Sequence, residues 1–184
     1  MSLVHVILGL LQQQERTGYD LKTKCFDDCI AHLWPADQAQ IYRTLDKLES
    51  QAWITCTVEI QHDRPNRKVY RITETGEAEL TQWLQTHHPL PVLREPLLAQ
   101  LYFAAQLPNE EIVYLLEQEL EARQEKLAQC EAIEALFLSN PTASCEQKLH
   151  RLVLDLMKQR EQTYLDWLEQ AIRAMPTLRD RHNP

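Results

Sequence analysis

The chain has 184 residues, 44% of them hydrophobic and 25% charged, with a net charge of −8. That is an ordinary globular composition with room for one domain or two small ones, and it excludes intrinsic disorder. Only three glycines occur, too few for the turns of a multi-stranded fold, so a mainly α protein is expected. No apolar run nears the roughly 18 residues that span a bilayer, and the N-terminus shows no signal-like core, which implies a cytoplasmic protein without a membrane partner. Cys25, Cys29, Cys56, Cys130 and Cys145 are odd in number and lack C-x-x-C spacing, so reduced thiols are expected rather than a disulfide framework or a zinc site.

Residues 3 to 11 form an almost continuous apolar run that suits a buried first helix. Thr17 ahead of Gly18, Tyr19 and Asp20 gives an N-cap hydroxyl with a carboxylate three residues on, predicting a short second helix to about Asp28. After Pro35, Asp37 and Gln40 repeat the capping-box spacing, and Ile41, Leu45 and Leu48 recur at helical intervals, which predicts a third helix over 38–50. Its outer face carries Ala39, Tyr42, Arg43, Asp46 and Lys47, with Gln40 on the flank. These are residue types that read a DNA groove, and they also suit a solvated helix face.

From Ile54 to Ile60 polar and β-branched residues alternate, and Val69 to Ile72 does so again, predicting a β-hairpin around a polar loop. Thr73 then caps a fourth helix to about Gln85, with Glu74 and Glu77 in its first turn. Three helices, a hairpin and a helix make a winged helix-turn-helix, in which helix three enters the major groove and the hairpin is the wing. The negative net charge counts against nucleic acid as a partner. Locally the balance reverses, because Asp63 to Arg71 holds four basic residues and one acid.

Residues 87 to 92, His-His-Pro-Leu-Pro-Val, read as a hinge. A helix from about Glu95 to Gln106 is expected beyond it, then a long helix opened by Pro108 and Asn109, with Ile112, Leu116, Leu120 and Leu127 as its stripe. A last helix is expected from Asn140 and Pro141, with Leu149, Leu152, Val153, Leu156, Tyr164, Trp167, Leu168 and Ile172 at helical spacing. Two such helices cannot bury these stripes on each other alone, so a second copy of the chain is the natural complement. The domains are thus expected at residues 1–86, a winged helix-turn-helix DNA-binding domain, and 93–176, a C-terminal α-helical dimerisation domain.

Ile7-Leu8-Gly9-Leu10-Leu11, Gly18-Tyr19-Asp20-Leu21, the helix-three run from Ile41 to Glu49, the wing segment from Arg64 to Thr73 and the closing Thr75-Gly76 together resemble the PadR family of transcriptional regulators. Leu97 to Leu107 and the helix start Pro108-Asn109-Glu110-Glu111 resemble the helical C-terminal region of its virulence-regulator-like branch. The resemblance implies a homodimeric DNA-binding regulator, ordinarily a repressor, on a palindromic operator of double-stranded DNA. The candidate DNA contacts are Gln38, Gln40, Tyr42, Arg43 and Lys47 on helix three and Arg64, Arg67 and Lys68 on the wing. Ala52 departs from the family by standing where glycine is frequent, which predicts a reshaped turn; the loop from Asp27 to Pro35 departs with Cys29 and His32.

Some relatives answer to phenolic or polycyclic compounds near the dimer interface, so the resemblance leaves room for a small-molecule effector. Trp34, Trp53, Trp83 and Trp167 could line such a pocket, though core packing is the commoner fate of tryptophan. The histidines form no metal-binding spacing and His87-His88 reads as exposed; no metal or cofactor is expected. An enzyme would need a thiol site on Cys25 or Cys56, and no nucleophile elbow, phosphate loop or paired-carboxylate motif supports one. A protein-binding adaptor that keeps the fold but not the DNA affinity is the other class the charge allows.

Overall fold

The computed structural model describes residues 3–60, 66–138 and 144–179. It divides into two compact units, Met1–Val92 and Leu93–Pro184. In the first, α1 (Leu3–Gln13) buries Val4, Ile7, Leu8, Leu10 and Leu11. A two-residue strand, β1 (Arg16–Thr17), leads into α2 (Gly18–Asp20), whose N-cap Thr17 accepts a hydrogen bond at 2.9 Å from the Asp20 amide.

The second helix does not stay α-helical to Asp28. Leu21–Cys29 is wound as a π-helix, ending with the Ile30 amide on the Cys25 carbonyl at 2.9 Å. Its inward apolar residues Leu21, Cys25 and Phe26, then Ile30, recur at four to five residues, a spacing that suits i→i+5 winding. Cys25 is buried, which pushes its thiol up to about 11, whereas Cys29 is exposed.

The third helix, α3 (Gln38–Ser50), has the expected bounds and capping box, with Asp37 and Gln40 each bonded to the other's backbone amide. Ile41, Leu45 and Leu48 are completely buried. Beyond the helix, Ala52 takes the left-handed conformation at φ 57°, and the Ala52 and Trp53 amides return to the Glu49 and Leu48 carbonyls. That is a Schellman ending, built with alanine where glycine ordinarily sits. The Thr73 and Thr75 hydroxyls both donate to the Ala52 carbonyl.

Strands β2 (Ile54–Glu59) and β3 (Arg67–Ile72) pair antiparallel from Ile54 opposite Ile72 to Glu59 opposite Arg67. β1 adds a third strand on the far side of β3, in the order β1-β3-β2. Helix α4 (Glu74–Gln85), capped by Thr73, closes the unit. A Cβ at Gly76 would lie 2.1 Å from the Trp53 carbonyl oxygen, so the first turn of α4 can back onto the turn after α3 only through a glycine. Trp34, Trp53 and Trp83 pack half-buried on this core. His88, expected to be exposed, is half-buried, because its ring stacks on Trp83 and meets the Trp83 carbonyl.

In the second unit α5 (Pro96–Phe103) has Glu95 as its N-cap and tightens into a 3₁₀ turn over Ala104–Gln106. α6 (Asn109–Leu138) and α7 (Cys145–Arg179) run antiparallel, with Asn109 bonded to Met175, Arg123 to Glu161 and Lys158 to Glu134. The last helix starts at Cys145 rather than at Pro141, since Ser144 and Gln147 form its capping box; Asn140 and Pro141 lie outside the described residues. Among the described residues no helix is long and apolar enough to cross a membrane.

Candidate nucleic-acid interface

The apolar stripe of α3 faces inward, so Gln38, Ala39, Tyr42, Arg43, Asp46 and Lys47 are left outward. Their side chains are not equivalent. Arg43 donates its Nε to the Ala39 carbonyl at 3.2 Å, leaving both terminal nitrogens outward as the fork that suits a guanine edge. Gln40 has its Oε1 on the Asp37 amide. A bidentate pair with adenine needs both ends of the amide, so Gln40 offers a donor only while the capping box is closed. Gln38, one residue into the helix, has a side chain with no hydrogen bond among the described residues. The Tyr42 ring, 37% exposed, lies against Gly18, where a Cβ would sit 2.7 Å from the ring.

The base of the wing stands beside this face. Thr17, Asp20, Lys24, Tyr42, Arg67, Lys68 and Tyr70 line one open hollow between α2, α3 and β3. Lys68 is exposed. Arg67 is 47% exposed and holds Asp20 through Nη2 at 2.7 Å. Asp20 also meets Lys24 Nζ at 2.7 Å and the Thr17 hydroxyl at 2.6 Å. Lys24 above all, with Thr17 and Arg67, holds the Asp20 carboxyl well below the usual carboxylate range against the opposing pull of burial. Tyr70 is buried under the wing, its hydroxyl pushed up to about 12 chiefly by desolvation. Arg71 turns back to Glu15 at 2.6 Å. Arg64 lies outside the described residues.

The structure thus brings Tyr42, Arg67 and Lys68 to one hollow and leaves Gln38, Arg43 and Lys47 on the adjoining helix face. Asp20 and Lys24 join them without having been singled out as site residues. Asp20 was legible only as a capping residue, because its long-range partner is 47 residues away. Among the described residues no group of His, Cys, Asp or Glu could hold a metal ion.

Helix-turn-helix, three-stranded sheet and closing helix define a winged helix-turn-helix protein of the DNA-binding class. A family model described as the transcriptional regulator PadR-like family matches residues 7–82, and one described as virulence activator alpha C-term matches residues 93–175. The negative transcriptional regulator PadR of Bacillus subtilis is 33% identical over 176 residues, spanning 91% of this chain and 93% of its own. The crystal structure of Bacillus subtilis PadR in complex with operator DNA is similar with a TM-score of 0.82 at 33% identity, covering 94% of this chain and 98% of that one. The complex of Bacillus subtilis PadR with p-coumaric acid is similar with a TM-score of 0.79 at 30% identity, covering 95% and 98%. The chain belongs to the PadR-like family of transcriptional regulators.

Proposed function

We propose that this regulator is a cytoplasmic repressor that binds a palindromic operator as a homodimer, residues 1–86 holding the DNA and residues 93–176 the partner copy. The observation that carries the DNA reading is the pairing of an outward Arg43 fork on α3 with Lys68 at the base of the wing. In this reading Gln38, Gln40, Tyr42, Arg43 and Lys47 face the groove, and Arg64, Arg67 and Lys68 face the backbone. The dimer reading is supported by α7, which leaves Leu149, Leu152 and Leu156 at 57%, 65% and 60% exposure. Two-fold symmetry then calls for half-sites one helical turn, or a multiple, apart. No catalytic role is part of this reading.

Effector release is supported by a hollow of about 530 Å³ in the second unit, walled by Leu93, Leu98, Leu156 and Trp167, with Arg160 among its polar groups and the carboxylate of Glu95 engaged by the Tyr164 hydroxyl. Apolar walls with a cation suit a small aromatic acid, and p-coumaric acid is what the relative's complex holds.

Fluorescence anisotropy on an operator selected from a random duplex pool tests the DNA reading. Affinity should fall steeply between about 50 and 200 mM salt, whereas an adaptor without DNA affinity shows no shift at either. Arg43→Ala should cost about 1 to 3 kcal/mol on the operator and relax one base-pair preference. Lys68→Ala should weaken operator and scrambled duplex alike and lower the salt slope by about one unit.

A further inference from the structure

Asp20 is 8% exposed and sits where α2, β1 and β3 converge. Burying a carboxylate is costly unless cations and hydrogen bonds compensate it. Here Thr17, Lys24 and Arg67 supply that compensation at 2.6 to 2.7 Å. The helix start does not require the charge, since the Thr17 hydroxyl already caps the Asp20 amide. What the anion does is tie together two elements that flank the candidate DNA face. Lys24 belongs to the helix before α3, and Arg67 opens the strand that returns from the wing.

The strand pairing shows why such a tie matters. On its β1 edge, among the described residues, β3 is paired only at Val69 and Tyr70. Beyond Val69, toward the wing, the bond from Arg67 to Asp20 fastens that edge to the helix-turn-helix. Lys68, the outward cation of the wing base, stands between the two fastenings.

We propose that Asp20 is a positioning residue of the DNA interface. Through Arg67 it sets where the wing stands beside α3, and so how well the operator is told from other DNA. The proposal rests on the DNA-binding reading above. Within that reading it changes one role: Arg67, placed above on the backbone side, becomes a strut whose charge is largely met by Asp20, and phosphate contact at the base of the wing is left to Lys68. Specific binding needs α3 and the wing seated together, whereas non-specific binding needs only cations near phosphates. Loosening the strut should therefore lower the ratio of operator to scrambled affinity rather than lower both affinities in step.

The experiment measures that ratio by anisotropy at several salt concentrations for the full-length wild type, Asp20→Asn, Arg67→Gln, Lys68→Gln and the Asp20→Asn/Arg67→Gln double variant. Asp20→Asn and Arg67→Gln should each lower the ratio roughly tenfold, and the double variant should fall no further than either, because both remove one interaction. Asp20→Asn should steepen the salt slope, as Lys24 and Arg67 lose their anion, while Lys68→Gln lowers the slope with the ratio kept. If Asp20→Asn does not fold, the half-exposed Arg67→Gln decides alone. Equal weakening of both duplexes by Arg67→Gln, or additive effects in the double variant, overturns the proposal. A lower melting temperature with an unchanged ratio overturns it too, as a purely structural role. Failure of the wild type to bind any duplex overturns the DNA reading itself, and this proposal with it.

Discussion

The two units use the same kinds of residue to opposite ends. In the first, Ile7, Leu8, Ile41, Leu45 and Leu48 show no exposed surface, and α1, the second helix, α3, α4 and the sheet close around them. In the second, the closed cluster is small, with Leu97, Ile112, Leu116 and Leu168 at its centre, while Leu149, Leu152 and Leu156 stay more than half exposed. Helical spacing of leucines fixes a face but not what covers it: α3 finds its cover within the chain, and α7 finds only part of it.

The sharpest way to break this contrast is at α7. The double change Leu152→Glu/Leu156→Glu should convert a dimer into a monomer in sedimentation, and operator affinity should fall by about 10²-fold or more as two linked half-site contacts become one. A monomeric wild type at micromolar concentration would end the dimer reading. Within the closed unit, Leu45→Ala should lower unfolding free energy by about 2 to 5 kcal/mol in urea titrations, because α3 loses contacts on every side. Leu149→Ala, at a leucine 57% exposed, measured likewise on the monomeric background should stay within about 0.5 kcal/mol.

Acid sharpens the contrast further. The folded state holds the Asp20 carboxyl below its unfolded value of about 4, so its stabilisation is present above that pH and fades as pH falls. Urea unfolding should separate wild type from Asp20→Asn by about 2 kcal/mol near neutrality, with the gap narrowing below about pH 4. A gain rather than a loss belongs to Ala52, whose left-handed backbone costs a residue with a Cβ about 1 to 2 kcal/mol. Ala52→Gly should raise stability by about 0.5 to 1 kcal/mol once the freer unfolded chain is allowed for. A loss of stability there would show that the alanine methyl packs usefully.

The elements that the sequence made legible are those held by local chemistry. Capping at Thr17, Asp37 and Thr73 places the starts of their helices, and the stripe of α3 its full length. β1 was invisible because two residues carry no alternation, and its pairing with Val69 and Tyr70 is wholly non-local. The π winding of Leu21–Cys29 was missed because the four-to-five-residue spacing of its apolar positions resembles ordinary helical period over so short a run. At the candidate site, the charges were legible but their partners were not. Arg67 and Arg71 read as free cations until folding brings Asp20 and Glu15 to them. The Gln40 amide read as a base contact, yet its oxygen is engaged by the very capping box that marked the helix start.

The contact between Gly18 and Tyr42 links positions 24 residues apart in their evolutionary freedom. Any side chain at position 18 would meet the Tyr42 ring at 2.7 Å and push it off its seat. If Tyr42 contacts DNA as proposed, a lineage changing residue 42 to something small would release residue 18 to vary, and one keeping the tyrosine in this seat would hold the glycine. The order of those two substitutions is then constrained, because enlarging position 18 first moves Tyr42 on the proposed DNA face before any new preference has been gained. A designer retargeting this regulator faces the same sequence of moves.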